Sequence, residues 1–377
     1  MSLRRTWAMT RKEALHILRD RRSLLMALAV PLLMLLLYGY GLTLDVDRVP
    51  TLVYDADRSP ESRELLARFG GSRYFRILGA ARDYADIQRA MDRDRCLIGL
   101  VIPHDYSREL RRGRQAEVQV LVDGSDSNTA SIALAYAETV LQFHSAALRA
   151  RALDRMGGGE FKIPVEARPR VWYNSELKSR NYIVPGLIAV ILQIIAALLT
   201  SLTIAREWEM GTMEQLLSTP LRPAELVLGK LLAFFGVGLA DTLIAILAGV
   251  LVFGVPLRGS PPLLLLTSCV FLFGALCWGI LISALARSQL LAFQMGLLTS
   301  FLPALILSGF IFAIETMPKV IQVVTYIVPS RYFVTSLKGI FLKGVGWEVL
   351  GADLAFLAAF AALVFLIATR RLKRRLA

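Results

Sequence analysis

Long apolar runs and one long hydrophilic block alternate along the 377-residue chain. About 20 consecutive, mainly apolar residues are enough for a helix to cross the hydrocarbon core of a bilayer. The runs that meet this requirement lie at residues 23–44, 183–204, 226–253, 263–286, 290–312 and 349–368. The pattern therefore predicts an α-helical polytopic membrane protein with six transmembrane helices, in which span 1 occupies residues 23–44 and the other spans lie within residues 181–377.

Composition narrows the class of protein further. Hydrophobic residues make up 55% of the chain, charged residues only 19%, and the mean hydropathy is +0.54. Soluble domains carry about 25% charged residues, and disordered chains are poorer in apolar residues. The net charge of +13 could indicate nucleic-acid binding, but the hydropathy does not fit that class, so we expect no nucleic-acid partner.

The positive charge is concentrated in two short flanks. Residues 1–22 hold seven basic and two acidic side chains, and residues 370–377 hold five basic side chains and no acidic one. Short flanks rich in Lys and Arg stay in the cytoplasm, so we expect both termini inside and the block 45–180 outside. The flanks can also bind anionic lipid headgroups. Residues 1–22 fit an interfacial helix on the inner leaflet, or a plain basic flank that only sets the orientation.

The block at residues 45–180 has the pattern of an α/β domain. Short β-rich runs at 49–55, 73–78, 96–102 and 117–123 alternate with helical segments, the first opened by an N-cap at Ser59 and Pro60. The turn at 123–126 could hold a metal ion or another ligand, or could simply cap the long helix at 129–155. A glycine-rich loop at 157–159 follows. The three histidines are far apart in sequence, so no metal-ligand spacing is present.

The connection at 205–230 carries the most specific signals. Gly211 interrupts the helix that leaves span 2, and Thr212 with Gln215 three residues later forms a capping-box pattern. A short helix should therefore start at 213 and lie across the cytoplasmic face, ended by Pro220. We expect the acidic side chains of this segment to face water, namely Glu207, Glu209 and Glu214.

Three motifs resemble a known family. They are Glu209-Met-Gly-Thr-Met-Glu-Gln-Leu-Leu-Ser-Thr-Pro220, Leu307-Ser-Gly-Phe-Ile-Phe-Ala-Ile-Glu-Thr-Met-Pro318, and Pro329-Ser-Arg-Tyr-Phe333 followed by Gly339-Ile-Phe-Leu-Lys343. The chain resembles ABC transporter permeases of the type-2 (ABC-2) membrane family. The similarity is closest to the subgroup with a large periplasmic domain between spans one and two.

The resemblance implies a type-2 ABC exporter fold with an inserted α/β extracytoplasmic domain, in the bacterial inner membrane. It implies a separate ABC ATP-binding subunit, a second permease, and in Gram-negative cells a periplasmic adaptor and an outer-membrane channel. ATP and Mg would bind the partner ATPase, since this chain has no Gly-x4-Gly-Lys-Ser/Thr loop, and no cofactor is expected here. Residues 317–345 would form a re-entrant region. The ATPase-coupling residues would be Glu207, Glu209, Gly211, Thr212, Glu214, Gln215, Leu216 and Pro220.

Polar residues inside the predicted spans form a second set of candidates. Asp241 lies near the middle of span 3, where an acidic side chain is costly and marks a functional hypothesis. It could line a cavity, bind a cationic substrate, carry a proton, or pair with a polar group across a subunit contact. Gln193 and Gln294 could line the same substrate path or join neighbouring helices.

Two other classes compete with a permease. A membrane-anchored sensor or assembly factor would leave the crosswise cytoplasmic helix unexplained. An intramembrane enzyme needs a nucleophile with its base, or metal ligands, at membrane depth, and the spans contain no histidine. The preferred cargo is a drug or another amphipathic small molecule, with lipid, glycan or Na⁺ export as alternatives within the same class.

Overall fold

The computed structural model describes residues 2–42, 46–155, 172–174, 178–286 and 288–376. The chain divides into a helical unit, Met1–Thr43 with Arg170–Ala377, and an inserted unit, Leu44–Pro169. The glycine-rich loop predicted at 157–159 and the predicted domain start at 45 lie outside the described residues.

The described elements follow in chain order. The first half contains α1 (Leu3–Arg19), α2 (Arg21–Gly41), β1 (Val49–Asp55), α3 (Pro60–Gly70), β2 (Phe75–Ala80), α4 (Tyr84–Met91), β3 (Ile98–Ile102), α5 (Tyr106–Arg111), β4 (Gln119–Val122) and α6 (Ser127–Arg155). The second half contains α7 (Ser179–Glu209), α8 (Thr212–Leu217), α9 (Pro223–Leu251), α10 (Pro261–Leu285), α11 (Gln289–Ile306), α12 (Lys319–Thr325), α13 (Pro329–Lys338) and α14 (Trp347–Leu376).

Six helices of the described chain are long and apolar enough to cross a membrane. These candidate spans are Leu24–Gly41, Ser179–Glu209, Pro223–Leu251, Pro261–Leu285, Gln289–Ile306 and Trp347–Leu372. The prediction of a six-span helical protein is confirmed. The helix of the fifth span ends at Ile306 rather than at 312, so it is shorter than predicted. Gly309, three residues later, takes a left-handed φ of 77°, which does not continue a right-handed helix.

Helix α7 is the centre of the helical unit and packs against α2, α9, α10, α11 and α13. A Cβ on Gly279 of α10 would overlap Thr200 and Ala197 of α7, so the two backbones approach closely there. The hydroxyl of Thr200 donates to the carbonyl of Leu276 at 2.9 Å. Ser283 Oγ accepts from two backbone N–H groups near the end of α7. These bonds hold α7 and α10 in a fixed parallel register.

The helix formed by the N-terminal segment packs on α9. Thr6, Met9 and Glu13 are buried, and a Cβ on Gly229 of α9 would lie 2.6 Å from Met9 Cβ. Helix α1 therefore buries a partly polar face against the protein and leaves apolar side chains such as Trp7 exposed. That exposed apolar side is the part of α1 that fits the interfacial prediction.

The segment between α11 and α14 is largely helical. Two prolines in it precede or begin helices, because α12 follows Pro318 and α13 starts with Pro329 at its first position. A π-helical turn, Gly339–Lys343, follows α13. The loop before α10 holds this turn, since the Gly259 N–H donates to the Ile340 carbonyl at 2.8 Å.

The inserted unit is an α/β domain, as predicted. Its sheet has the strand order β2-β1-β3-β4, with β1 parallel to both β2 and β3 and β4 antiparallel to β3. Leu65 and Phe69 of α3 and Ala137 of α6 pack in the core on one face, whereas Ile87 of α4 packs with Val101 in a separate cluster. The domain thus has helices on both faces of the sheet.

Two predicted caps are present in this domain. Ser59 caps α3 by accepting from the Ser62 N–H at 3.0 Å. Asp126 accepts from the backbone of Asn128 and the hydroxyl of Thr129 at the start of α6. The turn at 123–126 is therefore a strand-to-helix turn with a cap, and no cluster of three or more metal-ligating side chains occurs among the described residues.

Candidate functional site

The connection between α7 and α9 contains the predicted short helix, α8. Helix α7 ends at Glu209, and Gly211 takes a φ of 68°, a left-handed conformation that glycine adopts without a steric penalty. The chain reverses there and continues directly into α8. Pro220 follows α8, and Pro223 is the first residue of α9.

The predicted capping box at Thr212 and Gln215 is wrong. Gly211 itself occupies the N-cap, and α8 has no side-chain cap. The Thr212 hydroxyl instead donates to the side chain of Glu207, in the last turn of α7. The left-handed glycine places Thr212 inside the helix, one position later than a capping box requires.

Helix α8 has one face against the protein and one face free. Met213 is buried, and Leu216 packs against the same hydrophobic cluster. Glu214 and Gln215 are exposed. A six-residue helix is too short to be stable alone, so its buried face fixes it while its exposed face stays available for contact.

An ionic cluster made of Lys12, Glu13, Glu207 and Lys230 joins three helices beside α8. Lys230 Nζ of α9 donates to Glu13 Oε1 of α1 at 2.8 Å and to Glu207 Oε1 of α7 at 3.3 Å. Lys12 Nζ also donates to Glu207 Oε1, at 3.1 Å. The side chain of Lys230 is 2% exposed and that of Glu207 is 12% exposed.

The prediction that Glu207 faces water is therefore wrong. Its carboxylate is enclosed by two ammonium groups and the Thr212 hydroxyl. Buried charges are stable only when paired and hydrogen-bonded, and this cluster meets both conditions. Glu207 consequently bonds to α8 and to the two lysine-bearing helices, rather than presenting a free charge.

A second set of bonds ties the start of α9 to the start of α1. Glu225 is buried; its carboxylate accepts from the Arg222 N–H at 3.0 Å and from the Ser2 N–H at 2.6 Å. The guanidinium of Arg5 donates to the carbonyl of Pro220. The N-terminal end of α1 thus contacts both the α8–α9 connection and the first turn of α9.

Glu209 contacts the beginning of α11. Its Oε2 accepts from the backbone N–H of Gln289 at 2.8 Å. A carboxylate at a helix N-terminus stabilises that helix, so the exposed Glu209 has a structural contact of its own. Glu214 is also exposed, but its carboxylate has no hydrogen bond or ion pair among the described residues.

Asp241 lies on the buried face of α9. It is 1% exposed, and both carboxylate oxygens lack a hydrogen-bond partner within the described chain. Three residues earlier, a Cβ on Gly238 would meet Leu272 of α10 at 2.7 Å. Ser268 lies one turn before Leu272, so Asp241 and Ser268 differ in depth by only about 2 Å at 1.5 Å per residue.

Gln193 lies at the same depth. The hydrogen bond between Thr200 and Leu276 marks one common level of the parallel helices α7 and α10. Gln193 lies seven residues before Thr200 on α7, and Ser268 lies eight residues before Leu276 on α10. Gln193 Oε1 and Ser268 Oγ are also buried without a partner among the described residues. The polar layer formed by Gln193, Asp241 and Ser268 therefore crosses the junction of α7, α9 and α10 at one level.

Gln294 does not belong to this layer. It is exposed on α11, and its neighbour Gly296 packs against Ser201 of α7. Ser201 is eight residues from Gln193, or about 12 Å along the helix. Of the three proposed path residues, Gln193 and Asp241 lie at the same depth on neighbouring helices and Gln294 lies apart.

Sequence comparison adds the decisive observation. The profile of the family described as ABC-2 family transporter protein matches residues 21–370. The chain belongs to the ABC-2 family. It is 38% identical over 378 residues to the probable multidrug ABC transporter permease YbhS of Escherichia coli K12, covering 100% of this chain and 98% of that protein.

Two further relatives support the same assignment. The probable multidrug ABC transporter permease YbhR of E. coli K12 is 30% identical over 345 residues, 92% of each chain. The inner membrane transport permease YhhJ of E. coli K12 is 29% identical over 333 residues, covering 86% of this chain and 85% of that protein. The chain is a multi-pass permease, the membrane subunit of an ABC transporter, and its family implies an ATP-binding partner and a second permease.

Proposed function

We propose that the permease exports drugs or other amphipathic small molecules, driven by ATP hydrolysis on a separate subunit. The printed names of its relatives include multidrug permeases. The observation that carries the coupling role is the short helix α8, whose inner face is fixed by Met213 and whose outer face is open. Such a helix fits a groove on a soluble partner.

The ionic cluster gives this proposal a mechanical basis. A force applied to α8 by the closing ATPase dimer reaches Glu207 through Thr212, and then reaches Lys230 and Glu13. Buried, paired charges resist being separated, so α1, α7 and α9 move together rather than apart. Glu209, Gly211, Gln215, Leu216 and Pro220 shape or border the same docking element.

The polar layer is the proposed substrate path. An acidic side chain at this depth is costly unless it is protonated or neutralised by a cation. Asp241 with Gln193 would provide a polar step for cargo between the two leaflets, and Gln294 would contribute from the exposed side of α11. Pairing across a contact with the second permease remains the competing role for Asp241.

The proposed topology places both termini in the cytoplasm and the α/β domain in the periplasm. It rests on the basic flanks at residues 1–22 and 370–377. The α/β domain would then contact the adaptor that leads to the outer-membrane channel, and residues 317–345 would re-enter the outer leaflet. A single cysteine introduced at exposed Arg58, labelled in intact spheroplasts with a membrane-impermeant maleimide, tests the orientation. Labelling only after the membrane is opened would overturn it.

The docking role is tested by charge reversal on α8. Glu214→Lys should weaken co-purification of the cognate ATPase at least tenfold and remove permease-stimulated ATP turnover. Glu348→Lys, an equally exposed acidic residue at the start of α14, is the matched control. Unchanged binding and turnover with Glu214→Lys would refute docking through this face. Export itself is tested by ATP-dependent extrusion of dyes and antibiotics from vesicles that contain the assembled complex.

A further inference from the structure

A cavity of about 720 Å³ lies within the helical unit, between α1, α2, α7, α8 and α9, with Phe293 of α11 in its wall. Sites for small molecules usually measure about 300–1,000 Å³. The volume therefore suits one drug-sized molecule or one long hydrocarbon chain with a small headgroup. The polar layer at Asp241 is not part of its lining.

The two ends of the cavity differ in chemistry. One end is apolar, lined by Ile195, Leu199, Leu202, Phe234 and Val237. The other end is formed by the ionic cluster and by neighbouring polar groups of α1 and α7. A ligand that satisfies both ends has an apolar body and a polar head.

The length of the cavity is set by α7. Its lining begins at Ile195 and reaches Glu207 at the end of the helix, a distance of about 18 Å at 1.5 Å per residue. This is somewhat more than half of the ~30 Å hydrocarbon core. An elongated molecule that keeps its head at the membrane surface would therefore lie within one leaflet.

One cation at the polar end is placed to pair with an anion. The ionic cluster contains two cations and two carboxylates and is neutral overall. Beside it, Arg206 and Asp20 also cancel formally, but the guanidinium of Arg206 donates to the neutral side-chain oxygen of Gln289, at 3.3 Å. Among the described residues no carboxylate forms an ion pair with Arg206, so an anionic head can pair with its guanidinium.

We propose that this cavity is the loading site for an anionic amphiphile, with its tail along α7 and its phosphate or carboxylate head beside Arg206. The proposal rests on the exporter function given above and names the cargo class. Thr212, Gln215 and Leu216 also line the cavity, so an occupant touches α8 directly. Cargo would thereby alter the docking element and report its presence to the ATPase.

Binding is tested on the purified full-length permease in nanodiscs, without ATPase. The probes are dansyl-tagged dodecyl phosphate and its dodecyl trimethylammonium counterpart. Leu199→Trp, which fills the apolar end, should weaken phosphate-probe binding at least tenfold relative to Leu247→Trp on the exposed side of α9. Arg206→Gln should weaken it about fivefold and reduce the preference for the anion, unlike Arg11→Gln, which lies outside the cavity. Equal binding by all four variants, or equal binding of both probes to the unmodified chain, would overturn the site.

Export in vesicles with the assembled complex tests the loading role separately. Leu199→Trp should reduce extrusion of the phosphate probe while Leu247→Trp does not. Lost binding with full extrusion would overturn loading through this cavity. If the unmodified complex extrudes no amphiphile at all, the exporter proposal fails, whereas the nanodisc measurement still decides whether the cavity binds one.

Discussion

Replacing Lys230 by methionine tests whether the ionic cluster holds α1, α7 and α9 together. Methionine matches the length and apolar stem of lysine but removes the ammonium that lies 2.8 Å from Glu13 and 3.3 Å from Glu207. Two carboxylates would then remain buried around one cation, Lys12, whose side chain is 51% exposed and therefore less effective as a partner.

The expected loss follows from the burial of the cluster. Removing one partner of a buried ion pair costs about 3–5 kcal/mol, because the other charge is left without compensation. Since Lys12 still contacts both carboxylates, we expect the lower end, about 3 kcal/mol. For a unit of this size 1 kcal/mol corresponds to roughly 2–4 °C, so Tm should fall by about 6–12 °C.

The assay is thermal unfolding of the purified chain in detergent, followed by the far-ultraviolet helix signal. Lys319→Met, an exposed lysine at the start of α12, is the matched control and should change stability by less than about 0.5 kcal/mol. Adding Glu13→Gln to Lys230→Met removes one excess negative charge and should restore more than half of the lost Tm. Equal Tm values for Lys230→Met and Lys319→Met, or a double variant less stable than the single one, would refute the reasoning.

Three further predictions concern other parts of the chain. Asp241→Leu removes a buried carboxyl that has no partner among the described residues, so it should raise Tm. It should also lower extrusion of cargo, and unchanged extrusion would remove Asp241 from the proposed substrate path. Gly229→Ala should push Met9 and α1 away and expose α1 to limited trypsin digestion. Gly236→Ala, whose added Cβ has no atom within 4 Å, should leave α1 protected. Equal digestion of the two variants would contradict the tight contact. Burial lowers the pKa of His144 below its usual 6.5, so its neutral form stabilises the fold above that pH, and this contribution is lost as pH falls toward the lowered pKa. The protection factors of the α6 amides, which correct hydrogen exchange for its intrinsic pH dependence, should therefore fall between pH 7 and 5, and unchanged protection factors would refute it.

The spans and the α/β domain could be predicted because their signals are local. Runs of apolar residues identify the six helices, and alternation of short β-rich and helical segments identifies the domain. Gly211, Pro220 and Pro223 mark the limits of α8 because each restricts the backbone at its own position.

The ionic cluster could not be predicted because it depends on contacts between distant segments. Glu207 has the same local pattern as the exposed Glu214, yet its environment is decided by Lys12 and Lys230 from other helices. The capping box failed for a related reason: a left-handed Gly211 is one of two ways to start the helix, and the motif alone does not choose between them. Ser268 was missed because a single serine in an apolar run gives no signal until its neighbours are known.

The separation of Lys230 from Glu13 also has a consequence for how the chain is made. The two residues are 217 positions apart, and synthesis proceeds at about 5–20 residues per second. Glu13 therefore waits about 10–45 s, on this arithmetic, before the helix that neutralises it leaves the ribosome. During that interval two spans and the whole α/β domain are produced while α9, the main packing partner of α1, is absent. Arrival of the third span is thus the step at which the N-terminal helix can close on the bundle, and truncated chains that stop earlier would present an unclosed α1 to the cell's quality-control proteases.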